Sequence, residues 1–431
     1  MLTLPDTDTA LSEAANAANQ TAQASGDVLV QQIAVALPWP EAPVWRSEIA
    51  YRNIGNSWIA AQVKDGAEPL TFENFNEQTT QSIVLDAPVV LNPVFIAKPW
   101  GQEIWFSGIE ERGESTITQG TTTLPLSHYL ALAPKRLVRR AIPLLLKILD
   151  PNPSHNSGCL YVETHNTKHE VYVVTAVDSN AWPNGEGAIR LGMQQSKRKD
   201  YASDAEFRSA FLQAVQRYER VRRTLDQTSG SESVSLHNEE KASRTDMESF
   251  TALKPLRVGD VVQVAPHIPH SLQHGVRVFE FQTPTYERNI ISFNQKVLTQ
   301  DHWDSEYAIS NMSLAAPPEP VLEKLVDEPD LHIERIVDFD DFKAQRITLN
   351  NRSYTCEVNG GYLIVAVIKG ELKAASSAGT VTLTAGGKQQ AALMPASAVN
   401  PQLIANTAET VVLLAQPTAQ AAGTIALKSR G

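Results

Sequence analysis

The sequence predicts a mainly β protein made of two β domains, the first carrying a helical insertion. Three observations lead there. Short alternating or apolar runs, each bounded by Gly, Asn, Asp or Pro, recur from about residue 45 to the end. Only the segment near 203–226 holds a helical period over several turns. A Pro-rich joint, AAPPEPVLEKLVDEP at 315–329, separates two β-rich stretches. At 431 residues the chain is also too long for one ordinary core.

Residues 1–35, rich in Ala, Thr, Gln and Asn, read as a loosely ordered lead-in or weak helix. EIAYRNIG, SWIAAQV and QSIVLDAPVVL then read as strands, so 1–90 is expected to be an extension with some β structure. The first full domain is expected over 91–314. In it, LPLSHYLALAPKRLVRR reads as a basic amphipathic turn or helix, and IPLLLKILD as a strand covered on both faces. Ser203 and Glu206 form a capping box. Behind it, Phe207, Phe211, Ala214, Tyr218, Val221 and Leu225 make one apolar stripe, suited to packing on a sheet or to capping a pocket. Residues 227–248, Ser- and Glu-rich, read as a mobile loop. From 315 to 431 turn signals recur every 8–12 residues, the spacing of a sandwich or small barrel. That domain's one histidine, His332, lies at its edge, so it is expected to carry no metal.

Composition excludes several classes. A hydrophobic fraction of 42% with 20% charged residues fits a globular protein. The net charge of −11 argues against nucleic-acid and anionic-membrane partners. No apolar run reaches the roughly 20 residues of a membrane span. MLTLPDTDTALSEAANAANQ lacks the basic and apolar regions of a secretory signal, so a cytoplasmic location is expected. The two cysteines, Cys159 and Cys356, read as reduced core thiols.

The chemistry concentrates in LYVETHNTKHEVYVV, 160–174. Residues two apart on a strand share a face, so Glu163 and His165 point the same way. After the turn HNTKH, Glu170 returns beside them, with Lys168 projecting on its side. About a hundred residues on, VGDVVQVAPHIPH brings His270, in a His-rich turn with His267 and His274. An isolated E-x-H pair on such a strand is ordinarily a solvent face. Two histidines and one or two carboxylates from separate strands are instead a site for a divalent metal with an open position.

The order of these motifs resembles the class I mannose-6-phosphate isomerases, zinc enzymes of the cupin superfamily, from about residue 92 to 420. FIAKPWG at 95–101 is similar to the family's Lys-x-Trp-Gly stretch, Gly113–Ser115 to its Gly-Glu-Ser piece, and IPLLLKILD to the strand before its metal loop. The resemblance implies two cupin-like β-barrel (jelly-roll) domains. It also implies a metal held by Glu163, His165, Glu170 and His270, with Glu163 standing where the family has glutamine. That added carboxylate lowers the Lewis acidity of Zn2+ or favours Mn2+ or Fe2+. Tyr161 stands where the family has a serine on the phosphate side.

The activity implied is aldose–ketose isomerisation of a sugar phosphate, mannose 6-phosphate to fructose 6-phosphate, through an enediol. Glu280, or alternatively His169, would be the base. Lys168 and Arg288 would be the cations, and Lys98 and Lys147 would be partners for phosphate. Glu280 and Gln282 match the family's Glu-x-Gln strand. A sugar-binding cupin without turnover and a different cupin metalloenzyme are the alternatives.

Overall fold

A computed structural model describes residues 28–418, except 38, 40, 55–56, 140–141, 229–232, 298–302 and 359–360. The expected lead-in therefore lies mostly outside the described residues, and its last part, Val28–Val35, is a strand. The molecule is mainly β, and its larger sheets are built from antiparallel pairs. No described helix is long and apolar enough to cross a membrane.

Two sheets frame the region of interest. One has six strands in the order Val261–Val264, Glu170–Val177, Val276–Gln282, Leu145–Pro151, Gly101–Trp105 and Val94–Lys98. The other has five, in the order Thr251–Leu256, Gly187–Met193, His270–Leu272, Val162–Thr164 and Asn289–Ser292. Alternation along the strands divides the six-stranded sheet into two faces. Ile104, Ile148, Val171, Val173, Phe279 and Phe281 enter one apolar cluster. Leu149, Tyr172, Val174 and Val278 enter another, shared with the five-stranded sheet. IPLLLKILD is thus covered on both faces, as its composition demands.

The helix Asp204–Gln227 starts where the capping box puts it, with the Ser203 side chain accepting from the Glu206 N–H. All six stripe residues are buried, and Val215 joins them. Phe207, Phe211, Ala214, Val215 and Tyr218 pack in one cluster with Phe250, Phe293 and Trp303, and no stripe residue lines the pocket described below, so the helix supports a sheet. The expected loop at 227–248 is instead largely a second helix, Ser233–Glu248. Its buried face is polar, which hid it: Glu240, Ser243 and Arg244 are buried together with Met247. Arg244 pairs with Glu240, donates to the Asn294 carbonyl at 3.0 Å and sits 5.6 Å from the Tyr218 ring.

The Pro-rich joint leads into a unit of two further sheets. The four-stranded one pairs Ser353–Thr355, Gln402–Ala405, Glu371–Ser376 and Gly379–Thr384. It closes a third apolar cluster against a nine-stranded sheet. That larger sheet is continuous across the chain: Val89–Asn92 pairs with Ala391–Met394 on one side and Thr116–Gln119 on the other. Residues expected in the extension and the first domain therefore complete the C-terminal sheet. His332 is half-buried there and pairs with Asp327 at 2.8 Å.

Candidate active site

The site is assembled by strand register. On the six-stranded sheet, Trp105, Lys147, Glu280 and Tyr172 are successive cross-strand partners, forming one row across four strands. Glu170 opposes Gln282 in the next row. On the five-stranded sheet Glu163 is the direct partner of His270, so the two side chains stand side by side. His165 lies just beyond the short strand Val162–Thr164, and its carbonyl accepts from the His267 N–H at 2.6 Å. The two sheets thus face each other across a pocket open to solvent.

Glu163 and His270 line this pocket, and with the neighbouring His165 they bring ligand atoms within 4.8 Å of one another. The rings of His165 and His270 are 4.8 Å apart. Glu170 Oε1 is 3.8 Å from His165 Nε2, and Oε2 is 3.4 Å from His270 Nε2. Lys168 Nζ reaches Glu170 Oε1 at 2.6 Å, and the Tyr172 hydroxyl donates to Oε2 at 2.6 Å. His270 Nδ1 is 2.9 Å from the Ile268 carbonyl, which turns Nε2 inward. Both Nε2 atoms are buried without a hydrogen-bond partner among the described residues. Orphaned imidazole nitrogens beside carboxylates fit a divalent cation and are costly without one.

Electrostatics sharpen the roles. Burial pushes His165 well below the usual imidazole range, with Lys168 adding to it, so the ring is neutral and able to ligate. Burial opposes ionisation of Glu170, but Lys168 and the imidazoles overcome it and hold the carboxyl well below its usual range. Burial raises Glu280 well above that range; Lys147, 3.2 Å away, opposes the rise, and the Glu170 charge adds to it. Both Glu280 oxygens lack a hydrogen-bond partner among the described residues. Burial would also raise Glu103, yet Lys147, Lys98 and the Trp105 indole bring it down to about 2.

The expected residues Glu163, Lys168, Glu170, His270, Glu280 and Arg288 line one pocket, with Lys98, Lys147 and Tyr161. Arg288 lies 5.2 Å from the Tyr161 ring, and its Nε has no hydrogen-bond partner among the described residues. His169 does not join them. Its Nδ1 is 3.2 Å from Asp341 and its ring stacks on Phe339 at 4.5 Å, at the C-terminal unit. His274 is also outside, packed on Trp182 and edge-on to His155. Trp100 and Trp105 also line the pocket.

Four residues were not singled out from the sequence. Tyr172 was signalled by its place two after Glu170, on the same face. Glu103 was signalled likewise by its place two before Trp105. Arg112, held between Trp105 at 5.0 Å and Tyr286 at 4.6 Å, had no such signal. Nor did Glu287, which accepts from the Asn166 and Thr167 N–H groups and the Thr167 hydroxyl at 2.7, 3.1 and 2.7 Å, fastening the turn between His165 and Lys168.

The fold is similar to that of solved mannose 6-phosphate isomerase structures over about three quarters of this chain. More narrowly, it is similar to the mannose 6-phosphate isomerase from Bacillus subtilis, with a TM-score of 0.57 at 15% identity over 77% of this chain and 99% of that one. A mutant phosphomannose isomerase from Salmonella typhimurium gives a TM-score of 0.56 at 10% identity, covering 77% and 100%. A zinc-bound mannose 6-phosphate isomerase gives 0.53 at 12%, again covering 77% and 100%. No protein-family model matches the sequence. No curated protein matches it either.

Proposed function

We propose that the protein is a metal-dependent aldose–ketose isomerase, acting on a sugar phosphate such as mannose 6-phosphate. One observation carries the reading. A cluster of two unpartnered imidazole Nε2 atoms and a nearby carboxylate opens into a pocket that also holds Lys168, Glu280 and Arg288. The fold likeness to mannose 6-phosphate isomerases supports the same class. In this reading the six- and five-stranded sheets form one cupin-like unit within 91–314, and 315–431 the core of a second without metal.

His165 and His270, with a carboxylate of this cluster, would hold the metal, as Zn2+, Mn2+ or Fe2+. When bound, it supplies Lewis acidity toward sugar oxygens. Glu280, with its raised pKa, is suited to carrying a proton between C2 and C1. Lys168 and Arg288 supply positive charge where the enediolate develops. The walls of Trp100, Leu149 and Leu160 keep that charge in a partly dry site, where fixed cations act more strongly than in water.

The test is elemental analysis of the native protein, followed by a coupled assay of mannose 6-phosphate conversion with zinc, manganese and ferrous ions. Stoichiometric metal and metal-dependent formation of fructose 6-phosphate are expected. A protein that binds none of these ions and turns over no substrate would refute the reading.

A further inference from the structure

The C-terminal unit holds a second concavity, built by strand alternation and separate from the site above. Leu331 and Ile333 on Leu331–Asp338, Ile347 and Leu349 on Phe342–Leu349, and Val412 and Leu414 on Thr410–Pro417 share one apolar interior. Toward one end, the same inward face of these three strands turns polar. It carries Arg335 on the first, Gln345 and Lys343 on the second, and Gln416 on the third. Register sets them in two rows, Arg335–Gln345–Leu414 and Asp338–Lys343–Gln416. Tyr354 and Cys356, at the facing four-stranded sheet, line a pocket with them.

We propose that this mouth is a second binding site, for a neutral polyhydroxylated molecule, a sugar or a polyol. The proposal is independent of the isomerase reading.

Three observations carry it. The first is the change of composition along one face. The interior is filled by buried aliphatic side chains, whereas its end holds amides and paired charges around an open space. Mouths of β-barrels are where such a change marks a small-molecule site. The second is an unmet hydrogen bond. Gln416 Oε1 is buried without a hydrogen-bond partner among the described residues, and so calls for a donor. The amides of Gln345 and Gln416 both donate and accept, as hydroxyl groups do. The third is charge. Arg335 pairs with Asp338 at 2.6 Å and with Glu323 at 3.2 Å, and Lys343 pairs with the same Asp338 oxygen at 3.0 Å. Two cations thus meet two carboxylates. Exposed Asp340 and Glu357 at the rim add negative charge, so the mouth disfavours an anion such as a phosphate ester. Burial pushes the Cys356 thiol up to about 12, which keeps that wall neutral. Half-buried Tyr354 supplies a ring and a hydroxyl, suited to a molecule with apolar C–H faces and polar edges.

The experiment titrates the full-length protein with D-glucose, D-mannose, maltose and myo-inositol, reading binding by calorimetry and saturation-transfer NMR. At least one is expected to bind saturably. Gln416→Leu, which removes the unpartnered acceptor at similar volume, and Tyr354→Ala are each expected to weaken that binding by about 10-fold or more. His270→Ala, in the metal cluster, is expected to leave it within about 2-fold, as for a distant site. Circular dichroism and urea midpoints check that each variant folds, and Gln345→Leu probes the same wall should Gln416→Leu fail to fold. Absence of saturable binding by all four compounds overturns the proposal. So does binding that His270→Ala abolishes and Gln416→Leu spares, a result that would put the sugar in the metal-lined pocket and leave the isomerase reading standing. Binding lost in Gln416→Leu by a wild-type protein that holds no metal would uphold the mouth and sink the isomerase reading.

Discussion

Replacing Lys147 with methionine tests the charge row beneath the site. Lys147 is buried, with its ammonium 3.2 Å from Glu280 and 4.0 Å from Glu103. At an effective dielectric constant of about 20, the 4.0 Å separation corresponds to about 4 kcal/mol of attraction, and the 3.2 Å one to about 5 kcal/mol if Glu280 is ionised. Desolvation offsets much of this, but removing one partner of a buried pair leaves the other uncompensated, at about 3–5 kcal/mol. Two features pull the expectation to the lower end. Lys98 remains 3.2 Å from Glu103, and Glu280 can take a proton, as its burial already favours. Lys147→Met should therefore lower unfolding stability by about 3 kcal/mol. The assay is urea unfolding followed by circular dichroism and tryptophan emission together, because a chain of several sheets need not unfold in one step. The double variant Lys147→Met, Glu280→Gln should be less destabilised than the sum of the two single variants. A Lys147→Met protein within about 1 kcal/mol of wild type would show that the row is not a coupled charge system.

Further expectations concern other parts of the molecule. Burial against Trp45, whose ring is 4.1 Å away, brings His128 down to about 4, so only the unfolded chain takes up its proton between there and about 6.5. His128 thus contributes stability that is complete above about pH 6.5 and lost as pH falls toward 4, about 1–2 kcal/mol after allowing for solvent. His128→Phe should flatten the stability profile across that window. Gly101 has φ +149°, and a Cβ there would lie 2.3 Å from the Asp150 carbonyl oxygen, so Gly101→Ala should cost more than about 3 kcal/mol in thermal or urea unfolding. Glu287→Ala removes the acceptor of three hydrogen bonds in the turn joining His165 to Lys168. It should speed hydrogen exchange at the Asn166 and Thr167 amides and weaken metal affinity by about 10–100-fold; unchanged exchange would refute the clamp.

Much of this was legible in local patterns. Periodicity located the Asp204–Gln227 helix and its cap because one face is apolar and the first turn carries a capping box. The i, i+2 rule grouped Glu163 with His165; Glu163 lines the pocket with His270 and Glu280, and His165 brings a ligand atom within 4.8 Å of those of Glu163 and His270. What failed depended on tertiary partners. The Ser233–Glu248 helix buries charged side chains against those of its neighbour, a form of packing that hydropathy cannot show. His169 sits next to Glu170 but points to the opposite face of its strand, where Asp341 and Phe339 wait 170 residues downstream, so adjacency misassigned it. The boundaries near 90 and 315 follow composition, whereas hydrogen bonding joins Val89–Asn92 to a strand some three hundred residues later.

That last pairing bears on how the polypeptide is made. As synthesis proceeds from the N-terminus, the edge of Val89–Asn92 must wait until Ala391–Met394 has left the ribosome. Throughout that interval an apolar ribbon stands open to foreign strands. A nascent chain halted near residue 330 should therefore leave this edge open, and its aggregation in a cell deprived of chaperones would report on this seam more directly than any property of the finished molecule.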